Sequence, residues 1–210
     1  MQATMKHALV FSAAALLAFV AGCETMTAAP APSEQETLAV IRAGFQDRGI
    51  AKVDRLNQSE LQATCSKYHN NPPKDVREKL EKAAAATVKF PADGKWLGDF
   101  KAGERIAQTG VGLQWTDTAQ TVNGGNCYAC HQLSKEEIAY GNIGPSLYNY
   151  GKVRGNSEET LRYTWSKIWN THAYNACSQM PRFGDDGILT EEQIRNVMAL
   201  LIDPNSPVNK

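Results

Sequence analysis

A chain of 210 residues has room for one domain with an extension or for two small ones, and its 22 basic and 22 acidic side chains balance. With no net field and no block rich in lysine and arginine, a polybasic nucleic-acid or lipid-surface binder is disfavoured. Five cysteines stand out in such a chain, and their positions decide its chemistry.

At the N-terminus Lys6 and His7 precede an apolar run from Ala8 to Ala21 that is too short to span a bilayer and is followed by small residues. This is the layout of a secretory signal, expected over residues 1–22. The run ends Val20-Ala21-Gly22-Cys23, which resembles a lipoprotein cleavage box whose cysteine is lipidated and becomes the mature N-terminus. The other reading is ordinary cleavage near Thr27-Ala28-Ala29, which discards Cys23. Residues 23–32 are small and proline-bearing, as a flexible tether would be. Both routes deliver the chain outside the cytoplasm, where unassigned cysteines tend to pair. Cleavage before Cys23 removes only Lys6 among the charged residues, leaving 21 basic against 22 acidic.

Residues 33–90 read as a helical extension. Ser33 to Glu36 forms a capping-box pattern ahead of a helix to about Arg48, and Ser59 to Gln62 repeats it ahead of a helix toward Tyr68. Asn70-Asn71-Pro72-Pro73 stops that helix and starts another, with Pro73 near its first position and an Ala- and Lys-rich stretch to about Val88 behind it. The block is modestly apolar and is expected to pack on the domain that follows. Phe90-Pro91-Ala92-Asp93-Gly94 marks the boundary, and residues 96–210 form the second domain. There a helix from Asp99 toward Thr109 carries Phe100, Gly103, Ile106 and Ala107 on one face, and small Gly103 would admit another helix closely. Ser157 caps a helix to about Asn170, and Thr190 caps a last one whose Ile194, Val197, Met198, Leu201 and Ile202 recur at helical spacing up to Asp203-Pro204. No strand-length alternation or hairpin turn is present, so the class is all-α.

Cys127-Tyr128-Ala129-Cys130-His131 is the C-x-x-C-H signature of covalent haem attachment. Two thiols at this spacing reach the two vinyl groups on one porphyrin edge, and the adjacent histidine comes under the iron. A structural zinc site would want further paired ligands and a redox dithiol a βαβ setting, and neither is present. For the sixth iron position the methionines reduce to Met180: Met1, Met5 and Met26 fall in the signal or tether, and Met198 lies on the apolar stripe of the last helix. Met180 sits about fifty residues after the motif in a loop stiffened by Pro181. His172, expected at a surface helix end, the more remote His69, and a Cys177 thiolate are its rivals, and a gap-filling role for Met180 is the other reading. Pro145, in Gly144-Pro145-Ser146-Leu147, is the candidate carbonyl acceptor for the imidazole N–H of His131, with a plain turn as the alternative. Trp115, Tyr128, Tyr148, Tyr150, Trp165, Trp169 and Phe183 are candidates, as a group, to line the cavity. Cys65 and Cys177 remain, and pairing in an oxidising compartment would pin the extension to the loop before Met180.

The order of an initial helix, C-x-x-C-H, Gly-Pro-x-Leu, a methionine loop and a final amphipathic helix resembles a class I cytochrome c. More narrowly, GPSLYNYGKVRG (144–155), YNACSQMPRFG (174–184) and the segment 189–209 ending LLIDPNSPVN resemble the SoxX family, the monohaem subunits of the SoxAX cytochromes of thiosulfate oxidation. The resemblance implies a class I cytochrome c fold with an N-terminal extension and one covalent haem c on Cys127 and Cys130. It also implies His131 and Met180 as axial ligands. It implies a periplasmic, electron-accepting subunit paired with SoxA, which carries the reactive sulfur of an L-cysteine S-thiosulfotransferase complex. A cysteine of the SoxYZ carrier would then be the substrate and a small c-type cytochrome the downstream acceptor. The Cys23 box departs from the family, whose members are soluble. The residues alone also admit a stand-alone monohaem electron-transfer cytochrome serving a terminal oxidase or another dehydrogenase, or a lipoprotein haem module for assembly or tethering.

Overall fold

The computed structural model of the protein describes residues 31–210, so the export signal, Cys23 and all but the end of the tether lie outside the described residues. The chain divides into two compact units after Gly44. The described part of the first is α1, Glu34–Gly44. The expected capping box forms there: Ser33 N–H donates to the Glu36 carboxylate at 2.8 Å, and Glu36 N–H donates to Ser33 Oγ at 3.2 Å. No residue of α1 is buried. The helix does not run on to Arg48, which instead exchanges 2.9 Å backbone bonds with Ala51 around Gly49, a residue at φ 51°.

The second unit, residues 45–210, contains α2 (Glu60–Lys67), α3 (Lys74–Ala85), α4 (Phe100–Gln108), α5 (Tyr150–Arg154), α6 (Glu158–Trp169) and α7 (Glu191–Ile202). Short 3-10 turns lie at Val53–Leu56, Cys127–Ala129, Thr171–Ala173 and Pro207–Asn209. Among the described residues there is no strand and no helix long and apolar enough to cross a membrane. Ser59 with Gln62 and Thr190 with Gln193 form reciprocal capping boxes, and Ser157 accepts from Thr160 N–H. Pro73 stands one place earlier than expected. Its ψ of 152° is extended, so it precedes the helix and Lys74 begins it. That helix also ends early, where the Thr87 hydroxyl donates to the Ala84 carbonyl at 2.9 Å.

The core is built on α7, whose Ile194, Met198 and Leu200 are fully buried, with Trp165 of α6 beside them. α4 crosses α7 with its backbone at Gly103 laid against Asn196 and Leu200, so closely that a Cβ there would run into the Asn196 carbonyl. Asp93 anchors the approach to α4 by a bidentate pair with Arg195 of α7, at 2.8 and 3.0 Å. Phe90, Trp96, Trp165 and Trp169 form a row of rings with successive centroids 5.9, 5.8 and 6.1 Å apart, and Trp165 Nε1–H donates to the Lys89 carbonyl at 2.7 Å. The end of the extension is thus part of the core. At the C-terminus the buried Asn209 amide donates to the carbonyls of Leu201 and Asp203, closing the last turn on the end of α7.

Candidate haem-binding site

The C-x-x-C-H motif hangs from the end of α4. Gly125 N–H donates to the Ile106 carbonyl at 2.8 Å and Asn126 N–H to the Thr109 carbonyl at 2.9 Å. Asn126, at φ 47°, then reverses the chain into the Cys127–Ala129 turn. The amides of Cys130 and His131 both converge on the Cys127 carbonyl, at 3.1 and 2.9 Å, which holds the two thiols and the imidazole on one short turn. Both thiols are unpaired. Burial pushes the Cys127 thiol up to about 12. Among the described residues no group of three or more His, Cys, Asp and Glu side chains is arranged to hold a metal.

His131 Nδ1 lies 2.7 Å from the Pro145 carbonyl oxygen. A carbonyl only accepts, so Nδ1 carries the proton and Nε2 presents its lone pair. The loop that brings Pro145 here is clamped along the motif by Gly141 N–H to Tyr128 O, Gly144 N–H to Cys130 O and Leu147 N–H to Gln132 O, at 2.8 to 2.9 Å. Gly144 lies against the imidazole so closely that a Cβ would enter the ring.

Met180 is half-buried against the core, and its N–H donates to Ser178 Oγ at 3.2 Å. Cys177, three residues before it, is joined to Cys65 of α2 in a disulfide with its Cα atoms 5.6 Å apart. A disulfide sulfur is not a thiolate, so Cys177 leaves the set of rival ligands. His172 is buried, at 7% exposed, rather than at the surface as its helix-end position implied. Asn170 turns the chain inward there by accepting His172 N–H, and the ring Nε2 lies 3.1 Å from the Ser178 carbonyl. Burial lowers the His172 pKa from its ordinary value, so the ring is neutral. His69 is exposed at a left-handed turn of the extension.

The aromatic group divides. Tyr128, Trp165, Trp169 and Phe183 are buried in the core, and the Tyr128 hydroxyl donates to Ser134 Oγ. Tyr148 and Tyr150 are half-buried and reach Lys210 O and Thr164 Oγ1. Trp115 is exposed beneath the Arg48 guanidinium, 4.4 Å from its ring centre.

These residues fit a porphyrin. The two thiols stand together, His131 Nε2 is free to ligate, and Trp169 Nε1–H is buried with no acceptor among the described residues. Val122, Ile138 and Ile143, on the segments flanking the turn, are exposed apolar side chains of the kind a porphyrin face covers.

An all-helical unit with this turn, proline-backed histidine and methionine loop defines a class I cytochrome c. Residues 116–202 match the cytochrome c family, so this part of the chain is a cytochrome c domain, and the chain carries covalently attached haem c. It is also similar to a protein of Aquifex aeolicus (strain VF5) described as an uncharacterized lipoprotein, with 38% identity over 157 residues and 73% of each chain covered. The protein is therefore an extracytoplasmic monohaem electron-transfer cytochrome that exchanges electrons with other redox proteins.

Proposed function

We propose that this cytochrome is the electron-accepting subunit of a SoxAX complex. The supporting observation is that the three segments resembling SoxX surround the site: 144–155 backs His131, 174–184 carries Met180, and 189–209 closes the core beneath them. Cys127 and Cys130 would attach the haem, and His131 Nε2 and Met180 Sδ would hold its iron. Haem c supplies a one-electron couple when bound, and a histidine with a methionine sets it higher than two histidines would. Pro145 holds the His131 proton on Nδ1. With the Met180 thioether as its second ligand the iron would be left without an open site for a substrate.

Joining thiosulfate to a carrier cysteine breaks an S–H bond, forms an S–S bond and releases one proton and two electrons. One haem takes one of those electrons. A partner takes the other, and this is the role assigned to SoxA, which carries the reactive sulfur, with SoxYZ as carrier and a small c-type cytochrome as acceptor. Cys23 is the lipid attachment point, a reading the lipoprotein relative favours. The same relative favours a second reading, a membrane-tethered stand-alone cytochrome serving a terminal oxidase or another dehydrogenase.

Purification from the native host separates the two. A SoxA-like chain that co-purifies, with haem reduction on adding thiosulfate and carrier together, supports the first. A lone cytochrome whose haem stays oxidised under those conditions overturns it. Retention of the Cys23→Ala protein in the membrane fraction would overturn the lipid anchor.

A further inference from the structure

Between the end of α6 and the methionine loop lies a buried polar side chain to which the proposed haem ligation gives no role. His172 follows Asn170, whose Oδ1 accepts the His172 N–H at 3.1 Å and whose amide donates to Thr87 Oγ1 at 3.0 Å and to the Asp185 carboxylate at 3.1 Å. The backbone at His172 is therefore tied both to the end of the extension and to the far side of the methionine loop. Its ring points at Ser178, with Nε2 3.1 Å from the carbonyl oxygen. Because that oxygen only accepts, Nε2 bears the proton and Nδ1 is left with a lone pair. Nδ1 is buried and finds no partner among the described residues. A residue kept only to fill this space would be Phe or Leu, with no buried nitrogen left unpaired. What histidine adds is the Nε2–H.

Ser178 is the junction on which that bond acts. Its carbonyl takes His172, while its hydroxyl takes Thr171 Oγ1–H at 3.3 Å and the Met180 N–H at 3.2 Å. We propose that His172 is the positioning residue for the sixth iron ligand, fixing Ser178 through its carbonyl so that the Ser178 hydroxyl fixes Met180. This rests on the reading that Met180 Sδ ligates the iron. A thioether is a weak, neutral ligand, and its occupancy depends on how little freedom the loop must lose to present it.

The test uses purified haem-loaded protein and three readouts: the long-wavelength thioether-to-iron absorption band, the midpoint potential, and the rate at which cyanide displaces the sixth ligand from ferric protein. His172→Phe is expected to weaken the band, lower the potential and speed displacement about tenfold, the worth of one buried hydrogen bond. His172→Gln keeps an N–H donor and is expected to return toward the wild-type rate. If His172→Phe leaves band, potential and rate unchanged, or if His172→Gln is as fast as His172→Phe, the proposal is overturned. Should His172→Phe fail to accumulate, Ser178→Ala carries the test, because it removes only the hydroxyl arm; an unchanged displacement rate there is equally fatal. Met180→Ala separates the two levels. If it keeps the band, the ligand assignment fails and the proposal with it; if it loses the band while His172→Phe behaves as wild type, the proposal alone fails.

Discussion

At the scale of single residues, the proximal side of the site rests on a contact without slack. Gly144 lies against the imidazole of His131, and any Cβ would enter the ring. Gly144→Ala must therefore displace either the ring or the loop carrying Pro145. The expected outcome is a severalfold loss of haem-loaded protein, read by haem staining against total chain after export. Equal loading would show that the loop yields freely. The motif itself was legible because its residues are contiguous, and Gly144-Pro145 was legible as a pair for the same reason. The burial of His172 was not, because it depends on Asn170 turning the chain and on Ser178 six residues later. A neutral polar residue at a helix end has no local signature that separates a wet surface from a packed interior. The same holds for Tyr128: its place within the motif does not tell that its ring enters the core.

Among the elements, the crossing of α4 and α7 is the tightest contact. Gly103→Val puts its Cβ where the Asn196 carbonyl lies, and overpacking of this kind costs on the order of 1–3 kcal/mol. Chemical denaturation should show it as a lower midpoint at unchanged slope. The Asp93–Arg195 pair beside this crossing adds a pH dependence. The Arg195 guanidinium holds the Asp93 carboxyl below its ordinary 3.8, so the pair's contribution is present above that value and is lost as the pH falls through the lower folded value. Asp93→Asn should therefore be less stable than wild type near neutrality, and denaturation midpoints of the two proteins should converge once the pH has fallen below the folded value of Asp93. A gap that persists there would assign the effect to packing instead. Helix starts were readable from Ser33, Ser59, Ser157 and Thr190 because a cap is a local bond. Helix ends were less so: α1 stops at Gly44 and α3 at Ala85, where side chains and turns compete with the next helical bond. α5 was missed, being five residues long and entered through Asn149 in the left-handed region.

For the whole molecule, the Cys65–Cys177 bond closes a loop of 112 residues around the haem motif. Removing a cross-link over so long a loop costs on the order of 4–5 kcal/mol if chain entropy governs it. Cys65→Ser with Cys177→Ser should lower the thermal midpoint accordingly, and a change within error would show that the packing of α3 suffices without the bond. The pairing itself could be reached from the sequence by elimination, since only two cysteines lacked another task in an oxidising compartment. How deeply the end of the extension enters the core could not. Lys89 accepts from Trp165, and Phe90 continues the ring row, only because the fold brings residues 76 positions apart together.

That same bond constrains how the protein is made. An exported chain emerges N-terminus first, so Cys65 reaches the oxidising side before Cys127 and Cys130, and its native partner arrives last of the four. Consecutive pairing would join Cys65 to a haem-attachment cysteine and poison both sites. The chain must either have its haem ligated before oxidation is complete or pass through an isomerase that exchanges the first bond for the last. Maturation of this cytochrome is therefore a race between two covalent machineries, and its yield in a foreign host will depend on supplying them in the right order.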